Sequence, residues 1–383
     1  MTPWVSSPSH VSSRCLSAPR KVRMPMSPHI RFPRYAPALL VLPLTALTLS
    51  GCGGTGSAAA GDDKVVTVYS ADGLKGERGD GWYDEQFEAF ERKTGIKVRY
   101  VEGGSGEMVQ RTDREKNNTQ ADVLVTLPPF IQQADSKGLL SGYEPEGAAH
   151  IPRGERPADA HFTPLVNNYF GFVHNAEKLP KPPETWDELL SEKYEGKVQY
   201  STPGVAGDGT ALLVKAIHDF GGRKRAMDYL GALQKNNVGP SSSTSKLAPK
   251  VDKGELLVAN GDVQMNYAQA ETMPNLGIWF PAAKKGAKPT TFALPYTAGL
   301  VKGGPHTENG RKLLDFLLGE KPQREVSSVG GGFTVRDDIE ARDDQAEELA
   351  ALMKGVEVFR PDWEEVAGDL DSYLSAWKRA TGS

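Results

Sequence analysis

Short apolar runs with strand character alternate with segments of helical spacing in the part of the chain that follows residue 64. Three runs rich in β-branched and aromatic residues have this character: residues 65–69, 96–101 and 121–126. Between the first and second runs, Trp82, Phe87 and Phe90 recur at helical spacing. Between the second and third runs, residues 108–116 form a polar helical segment. Strands that alternate with helices of this length predict an α/β fold with a parallel sheet and right-handed crossovers.

The loops that follow these strands carry the first candidate ligand contacts. In a parallel sheet, ligands bind beyond the carboxyl ends of the strands. The loops at residues 70–73, 103–107 and 126–130 occupy that position. The glycine-rich second loop is also compatible with a plain tight turn. The candidate contacts in these loops are Ser70, Asp72, Ser105, Glu107 and Thr126.

Two hydroxyl-rich loops follow in the middle of the chain. A strand at residues 197–200 runs into a loop of small residues, and helical spacing begins near residue 211. Residues 239–246 form a second loop of similar composition, with five consecutive hydroxyl residues and a lysine. Free backbone N–H groups and the positive end of a helix attract anions, although both loops are also compatible with ordinary solvated loops. The candidate donors to a phosphate-like anion are Ser201, Thr202, Gly209, Thr210, Ser242, Ser243 and Thr244.

Two long extended segments, residues 162–175 and 292–301, are candidates for crossing between two lobes. Two crossings predict a hinge with a cleft beside it. The predicted domains are residues 64–165 as the first part of lobe 1, residues 166–295 as lobe 2, and residues 296–383 as the second part of lobe 1 with C-terminal helices.

The first fifty residues predict a secretion leader and not a folded element. Six basic residues and no acidic residue precede an apolar run at residues 36–49, which has signal-peptide length. The run ends in Leu-Ser-Gly-Cys, which resembles a bacterial lipobox and implies cleavage before Cys52 and a lipid on its sulfur. Residues 1–51 would then be the signal peptide and residues 52–63 a flexible tether. The alternative is a buried N-terminal helix with an unmodified cysteine.

Cysteine content and charge narrow the possible chemistry. The chain has two cysteines; Cys15 would leave with the leader and Cys52 would carry lipid, so the mature chain would contain no thiol. That excludes disulfides, cysteine-ligated metals and a cysteine nucleophile. Loss of the leader would lower the formal charge from −4 to −10. A net-acidic body argues against nucleic acid as a partner, so any anion site must be local.

Several motifs resemble the 2-aminoethylphosphonate-binding proteins of ABC importers. They are VYSADGL at residues 68–74, TGIKV at 94–98, ADVLVTLPPF at 121–130, YSTPG and GDGT between 200 and 210, NVGPSSST at 237–244, and VANGDVQMN at 258–266. The resemblance extends from about Val65 to Arg336 and implies a two-lobe type II periplasmic-binding-protein fold. It also implies a monomeric, non-catalytic receptor without metal or cofactor. Such a receptor would be lipid-anchored outside the cytoplasmic membrane and would deliver a small phosphonate to an ABC permease.

The resemblance assigns roles to the candidate residues. The hydroxyl-rich loops would bind the phosphonate, and Asp72, Glu107 and Tyr267 are candidates for the ammonium group. Asn266 and Tyr296 complete the predicted ligand-binding set, although either tyrosine could be a core residue with a bonded hydroxyl. Asp208 and Asp262 are interpreted as helix N-terminal residues, a role that needs no ligand.

Two other functions remain open from the sequence. Ferric-ion binders of the same fold use clustered tyrosines near the position of Asn266, whereas here Tyr267 stands alone. A lipid-anchored serine hydrolase would use Ser243 and Lys246 as a Ser-x-x-Lys pair. The order of the accompanying motifs disfavours that enzyme, because the Lys-Thr-Gly at Lys93 precedes the serine.

Overall fold

The computed structural model describes residues 63–76 and 78–383. The predicted signal peptide, the lipid site at Cys52 and nearly all of the tether lie outside the described residues. Among the helices of the described part, none combines the length and the apolar character that crossing a membrane requires.

The described strands and α-helices alternate along most of the chain. The strands are β1 Val65–Ala71, β2 Lys97–Gly103, β3 Val123–Thr126, β4 Leu140–Ser141, β5 Thr163–Val166, β6 Phe170–Asn175, β7 Val198–Gln199, β8 Val258–Asp262, β9 Leu276–Trp279, β10 Thr290–Phe292, β11 Tyr296–Val301 and β12 Glu357–Phe359. The helices are α1 Trp82–Thr94, α2 Ser105–Glu115, α3 Phe130–Ser136, α4 Gly207–Asp219, α5 Arg223–Leu233, α6 Ala248–Asp252, α7 Val263–Ala270, α8 Thr307–Leu317, α9 Glu320–Arg324, α10 Asp344–Leu352 and α11 Trp363–Thr381. Short 3-10 helices span Ala148–His150, Arg153–Glu155, Trp186–Leu190 and Glu192–Tyr194.

Two mixed sheets organise the described chain. The larger has the order β2-β1-β3-β11-β4, with β5 also paired to β11, and the smaller has the order β7-β8-β6-β9. The predicted parallel pairing is confirmed for β1 with β2 and with β3. Strand β11, to which the sequence pattern assigned no direction, runs antiparallel to β3, β4 and β5. A separate pair joins β10 to β12 in parallel.

In helix α1, the apolar residues that recur at helical spacing pack in the core. Its first residue, Trp82, and Phe90 two turns later are fully buried, as their spacing on one face predicts. The indole of Trp82 donates to the Pro322 carbonyl at 3.0 Å, which satisfies its one polar atom. Gly95 ends the helix with φ 71°, a left-handed conformation that glycine adopts without a steric penalty.

The two extended segments lie side by side where the chain passes between the sheets. Tyr169 forms an antiparallel bridge with Ala293, and the Leu294 N–H donates to the Asn168 carbonyl at 2.8 Å. Phe333 adds a third stretch by exchanging backbone hydrogen bonds with Asn167. The connection between the sheets is therefore narrow and consists of extended backbone.

The C-terminal elements contact both halves of the molecule. Strand β12 pairs with β10, and α11 packs against both α3 and α5. Helix α10 contributes Leu349 to an apolar cluster with Val263 of α7. The C-terminal segment therefore contacts elements that belong to both halves of the described chain.

Candidate functional site

The N-termini of α2 and α4 meet at the gap between the sheets. Gly104 caps α2, and the Gly106 N–H donates to the Val205 carbonyl, in the loop before α4, at 3.0 Å. A Cβ on Gly104 would lie 2.4 Å from Val205 O, so only glycine permits this approach. Two positive helix ends therefore face one small region.

Two hydroxyl groups lie close to these helix ends. Ser105 Oγ accepts from the Leu127 N–H at 3.2 Å, which leaves its own proton free to donate. Thr126, at the end of β3, is 0% exposed, and its Oγ1 has no hydrogen-bond partner among the residues that the structure describes. Two positive helix ends and spare hydroxyl donors form an environment that suits an anion.

The two hydroxyl-rich loops are in contact, as the proposed site requires. The Thr202 N–H donates to Ser241 O at 2.8 Å, and the Ser241 N–H donates to Thr202 Oγ1 at 3.1 Å. Thr244 Oγ1 donates to Ser201 Oγ at 2.9 Å. Ser201 is anchored in turn by Asn260, whose Oδ1 accepts the Ser201 N–H at 2.8 Å.

Asp72 links the larger sheet to the second hydroxyl-rich loop. It follows β1, and its Oδ2 accepts from Ser243 Oγ at 2.5 Å and from the Ser245 N–H at 3.3 Å. Tyr296 Oη, on β11, donates to the Asp72 carbonyl at 3.0 Å. Asp72 therefore joins elements that the chain brings from both sides of the gap.

Two further carboxylates lie behind Asp72. Asp208 is the second residue of α4, and Asp262 caps α7 by accepting the Met265 N–H at 2.7 Å through Oδ1. Asp208 and Asp262 are 3% and 1% exposed, yet Asp208 Oδ1 and Asp262 Oδ2 have no partner in the described structure. We call Asp72, Asp208 and Asp262 the carboxylate cluster.

Burial and mutual repulsion shape the ionisation of this cluster. Burial raises the pKa of Asp208 well above its ordinary value, and the negative charges of Asp262 and Asp72 raise it further. Burial also raises the pKa of Asp262 to about 7, although the hydrogen bond from Met265 opposes the shift. The pKa of the buried Tyr296 hydroxyl is raised for the same reasons. Each group resists a negative charge unless a proton or a cation accompanies it.

Asp262→Asn should stabilise the ligand-free protein above neutral pH. Asparagine keeps the N-cap, because its side-chain oxygen can still accept from Met265. The pKa of the wild-type carboxyl rises from an ordinary value of 3.8 in the unfolded chain to about 7 in the folded protein. Between these values the folded state retains a proton that the unfolded chain has lost, so wild-type stability falls as pH rises. Urea melts should find the variant a few kcal/mol more stable at pH 8, with the difference shrinking towards pH 4. Parallel stability curves for the two proteins would contradict this assignment.

The remaining predicted residues are placed in three ways. Some are held by local hydrogen bonds: Ser70 Oγ donates to Ala71 O, Thr210 Oγ1 accepts from the Gly204 N–H, and Asn266 Oδ1 accepts from the Asp262 N–H. Gly209 lies where a Cβ would meet the Ser201 carbonyl at 2.3 Å. Glu107 and Ser242 are exposed, and Tyr267 Oη donates to Glu348. The structure does not bring these last three to the carboxylate cluster.

The sequence predicts no ligand-binding role for three residues at the site: Asp208, Asp262 and Asn168. The amide Nδ2 of Asn168 is buried at the crossing and has no partner in the described part of the chain. Both aspartates directly follow a glycine at a helix start, which is the only sequence signal that distinguishes them. That signal is ambiguous, because an N-cap alone explains an aspartate there.

A cavity of about 570 Å³ opens beside the cluster. Asp72 and Gly73 line it from the larger sheet, whereas Ser245, Gln264 and Tyr267 line it from the smaller-sheet side. Of the carboxylate cluster, Asp72 is the member that lines this cavity.

Two sheets joined by narrow extended crossings, with polar groups and helix ends directed into the gap between them, define a solute-binding protein of the type II periplasmic fold. The chain belongs to the bacterial extracellular solute-binding protein family, whose model matches residues 75–324.

Relatives and solved structures agree with this assignment. The chain is 46% identical, over 89% of its length and 99% of the relative, to a Salmonella paratyphi A protein named "Putative 2-aminoethylphosphonate-binding periplasmic protein". It resembles the structure of the periplasmic binding protein P5PA with a TM-score of 0.71 at 20% identity, over 83% of this chain and 99% of that one. AfuA from Actinobacillus pleuropneumoniae, solved with fructose-6-phosphate, gives a TM-score of 0.70 at 20% identity with the same coverage. The two structural likenesses bear on the fold alone.

Proposed function

We propose that this protein is the non-catalytic receptor of an ABC importer and captures 2-aminoethylphosphonate or a similar small phosphonate between its sheets. The observation that carries the proposal is the meeting of the α2 and α4 N-termini beside the spare hydroxyls of Ser105 and Thr126. A phosphonate accepts hydrogen bonds at three oxygens, which matches an array of N–H and O–H donors. The high identity to a relative named for this ligand supports the same class.

The proposed division of the chain follows the sequence prediction. Residues 64–165 and residues 296–383, which include the C-terminal helices, would form lobe 1, and residues 166–295 would form lobe 2. Ligand contacts made to both lobes at once would stabilise the closed form, which would then dock on a membrane permease. A lipid on Cys52 would hold the monomeric receptor at the outer face of the cytoplasmic membrane.

The contacts of Ser243 favour a receptor over a hydrolase. Its hydroxyl donates to Asp72 and lies 2.8 Å from Ser245 Oγ, while Lys246, the proposed base, is exposed. An activated serine needs a base that accepts its proton and is itself oriented. For the ferric alternative, Tyr267 and Tyr296 donate to different partners and do not form a phenolate pair.

A ligand panel tests the proposal directly. We expect 2-aminoethylphosphonate to raise the melting temperature of the purified protein by several degrees, because a ligand at 1,000 times its Kd adds about 4 kcal/mol to the free energy of unfolding. Phosphate, sulfate, thiamine and ferric citrate at equal concentration serve as comparisons. Stabilisation by ferric citrate but by no phosphonate would overturn the proposal.

A further inference from the structure

We propose that Asp208 and Asp262, with Asp72 at the rim, bind the protonated primary amine of the ligand and so select aminophosphonates over phosphonates without an amine. This inference rests on the proposed function and assigns the residues that would bind the ammonium end of the ligand in the same site.

The two inner carboxylates have unused hydrogen-bonding capacity. Asp208 Oδ1 and Asp262 Oδ2 are buried and unpartnered in the described structure. Asp262 uses its other oxygen for the N-cap of α7, and the side chains of Asn168 and Tyr296 lie near its carboxylate. Buried acceptors are almost always satisfied in folded proteins, so two spare carboxylate oxygens in one region point to a missing donor. An ammonium group supplies three donors.

The charge around Asp208 is unbalanced. The charges of Asp262 and Asp72 act on it in the same direction as burial, and they are opposed by hydrogen bonds from the neutral Thr244 hydroxyl and from its own backbone N–H. A buried carboxylate without a cation is costly to ionise. A cationic ligand group removes that cost, whereas a neutral or anionic group would increase it.

The position of Asp208 also fits a ligand that carries both charges. Asp208 belongs to the first turn of α4, the helix whose N-terminus meets α2 at the proposed phosphonate position. A short zwitterion could therefore contact donors at one end and carboxylates at the other.

The carboxylate cluster does not have the close spacing of a metal site. In the described residues, the groups of three potential metal ligands within 4.8 Å of one another lie elsewhere. They are Asp135 with Asp159 and His161, and His150 with Asp337 and Asp338.

The test compares 2-aminoethylphosphonate with ethylphosphonate, which lacks only the amine. Calorimetry on the wild-type protein should find that the amine improves affinity by roughly 10- to 100-fold, as expected for charge-assisted hydrogen bonds. Asp208→Asn and Asp262→Asn should each reduce this preference at least tenfold and leave ethylphosphonate binding equal or tighter. Asp362→Asn is the matched control, because Asp362 caps α11 through the Glu365 N–H at 3.0 Å, far along the chain from the site residues.

The outcomes separate the two proposals. Equal wild-type affinity for the two phosphonates would overturn the amine site and leave phosphonate capture intact. An unchanged preference in both Asn variants, with the wild type discriminating, would also overturn it. Absence of wild-type binding to either compound would overturn the proposed function and this inference with it. If one variant fails to fold, as judged by its melting curve, the other variant and the wild-type comparison still decide.

Discussion

Replacing Lys215 with methionine should lower the free energy of unfolding by about 3–5 kcal/mol, because it removes one partner of a buried ion pair. Lys215 and Asp219 lie one turn apart on α4, and both side chains are 0% exposed. Burial lowers the pKa of Lys215, although Asp219 opposes the shift. Methionine preserves most of the side-chain volume but leaves the Asp219 charge without its cation.

The surroundings of Asp219 allow a matched control. Its carboxylate also accepts from the Trp186 indole at 2.7 Å and from Thr290 Oγ1 at 2.7 Å. In the double variant Lys215→Met with Asp219→Asn, the amide oxygen can still accept one of these bonds and no charge remains. We expect the double variant to recover at least half of the loss in urea denaturation, which a double-mutant cycle would quantify. Equal stability of the single variant and the wild type would contradict this account.

This ion pair also matters for the site. Lys215 Nζ donates to Thr290 Oγ1 at 2.5 Å and so fixes α4 to β10. The same helix carries Asp208 and the proposed anion-binding N-terminus. A binding group is effective only if its supporting element is rigid, so loss of the anchor should weaken ligand binding as well as stability.

The fold was predictable where local pattern decides it. The spacing of Trp82, Phe87 and Phe90 predicts a helix, which the structure shows as α1. The direction of β11 was not predictable, because an extended run has the same pattern in a parallel or an antiparallel pair. The pairing of β12 with β10 joins residues more than sixty positions apart, and neither strand shows which partner it takes.

The candidate site was predictable at its hydroxyl-rich loops but not at its inner carboxylates. Ser201 and Thr244 share the chemistry that predicts them as donors, and the structure brings their hydroxyls within 2.9 Å. At Asp262, the sequence pattern predicts a helix cap. It does not predict that the second carboxylate oxygen of Asp262 is buried and unpartnered in the described structure. Only the folded chain, in which α4 and α7 both pack on β8, brings Asp208 and Asp262 close enough for their charges to interact.

The carboxylate cluster links stability to recognition. At these buried positions, uncharged side chains would destabilise the folded protein less than aspartates do. The pKa of Asp262 is raised to about 7, chiefly by burial. Such sites are stabilised by the ligand that completes them, because binding supplies the missing charge. The free-energy cost of burying these carboxylates is therefore greatest in the ligand-free protein.

Gly104→Ala should weaken binding of 2-aminoethylphosphonate by roughly 5- to 150-fold, because a Cβ there would obstruct the meeting of the two helix ends. The three nearest atoms to that Cβ all lie across the gap: Val205 O at 2.4 Å, Ser242 O at 3.1 Å and Val205 C at 3.1 Å. Gly104 has φ −67° and ψ 148°, which alanine adopts without strain. The added methyl group therefore disfavours the closed form and leaves the open form nearly unchanged.

Calorimetry and small-angle scattering measure the two parts of this prediction. The variant should keep a larger radius of gyration than the wild type at a ligand concentration that closes the wild type, because the competent state is less populated. Its ligand-free melting temperature should change little, since alanine is only a poorer N-cap than glycine. Gly154→Ala is the control, because a Cβ at Gly154 meets nothing within 4 Å. Wild-type affinity in the Gly104 variant would mean that ligand binding does not require α2 and α4 to meet, and the anion would then have to be bound by one lobe alone.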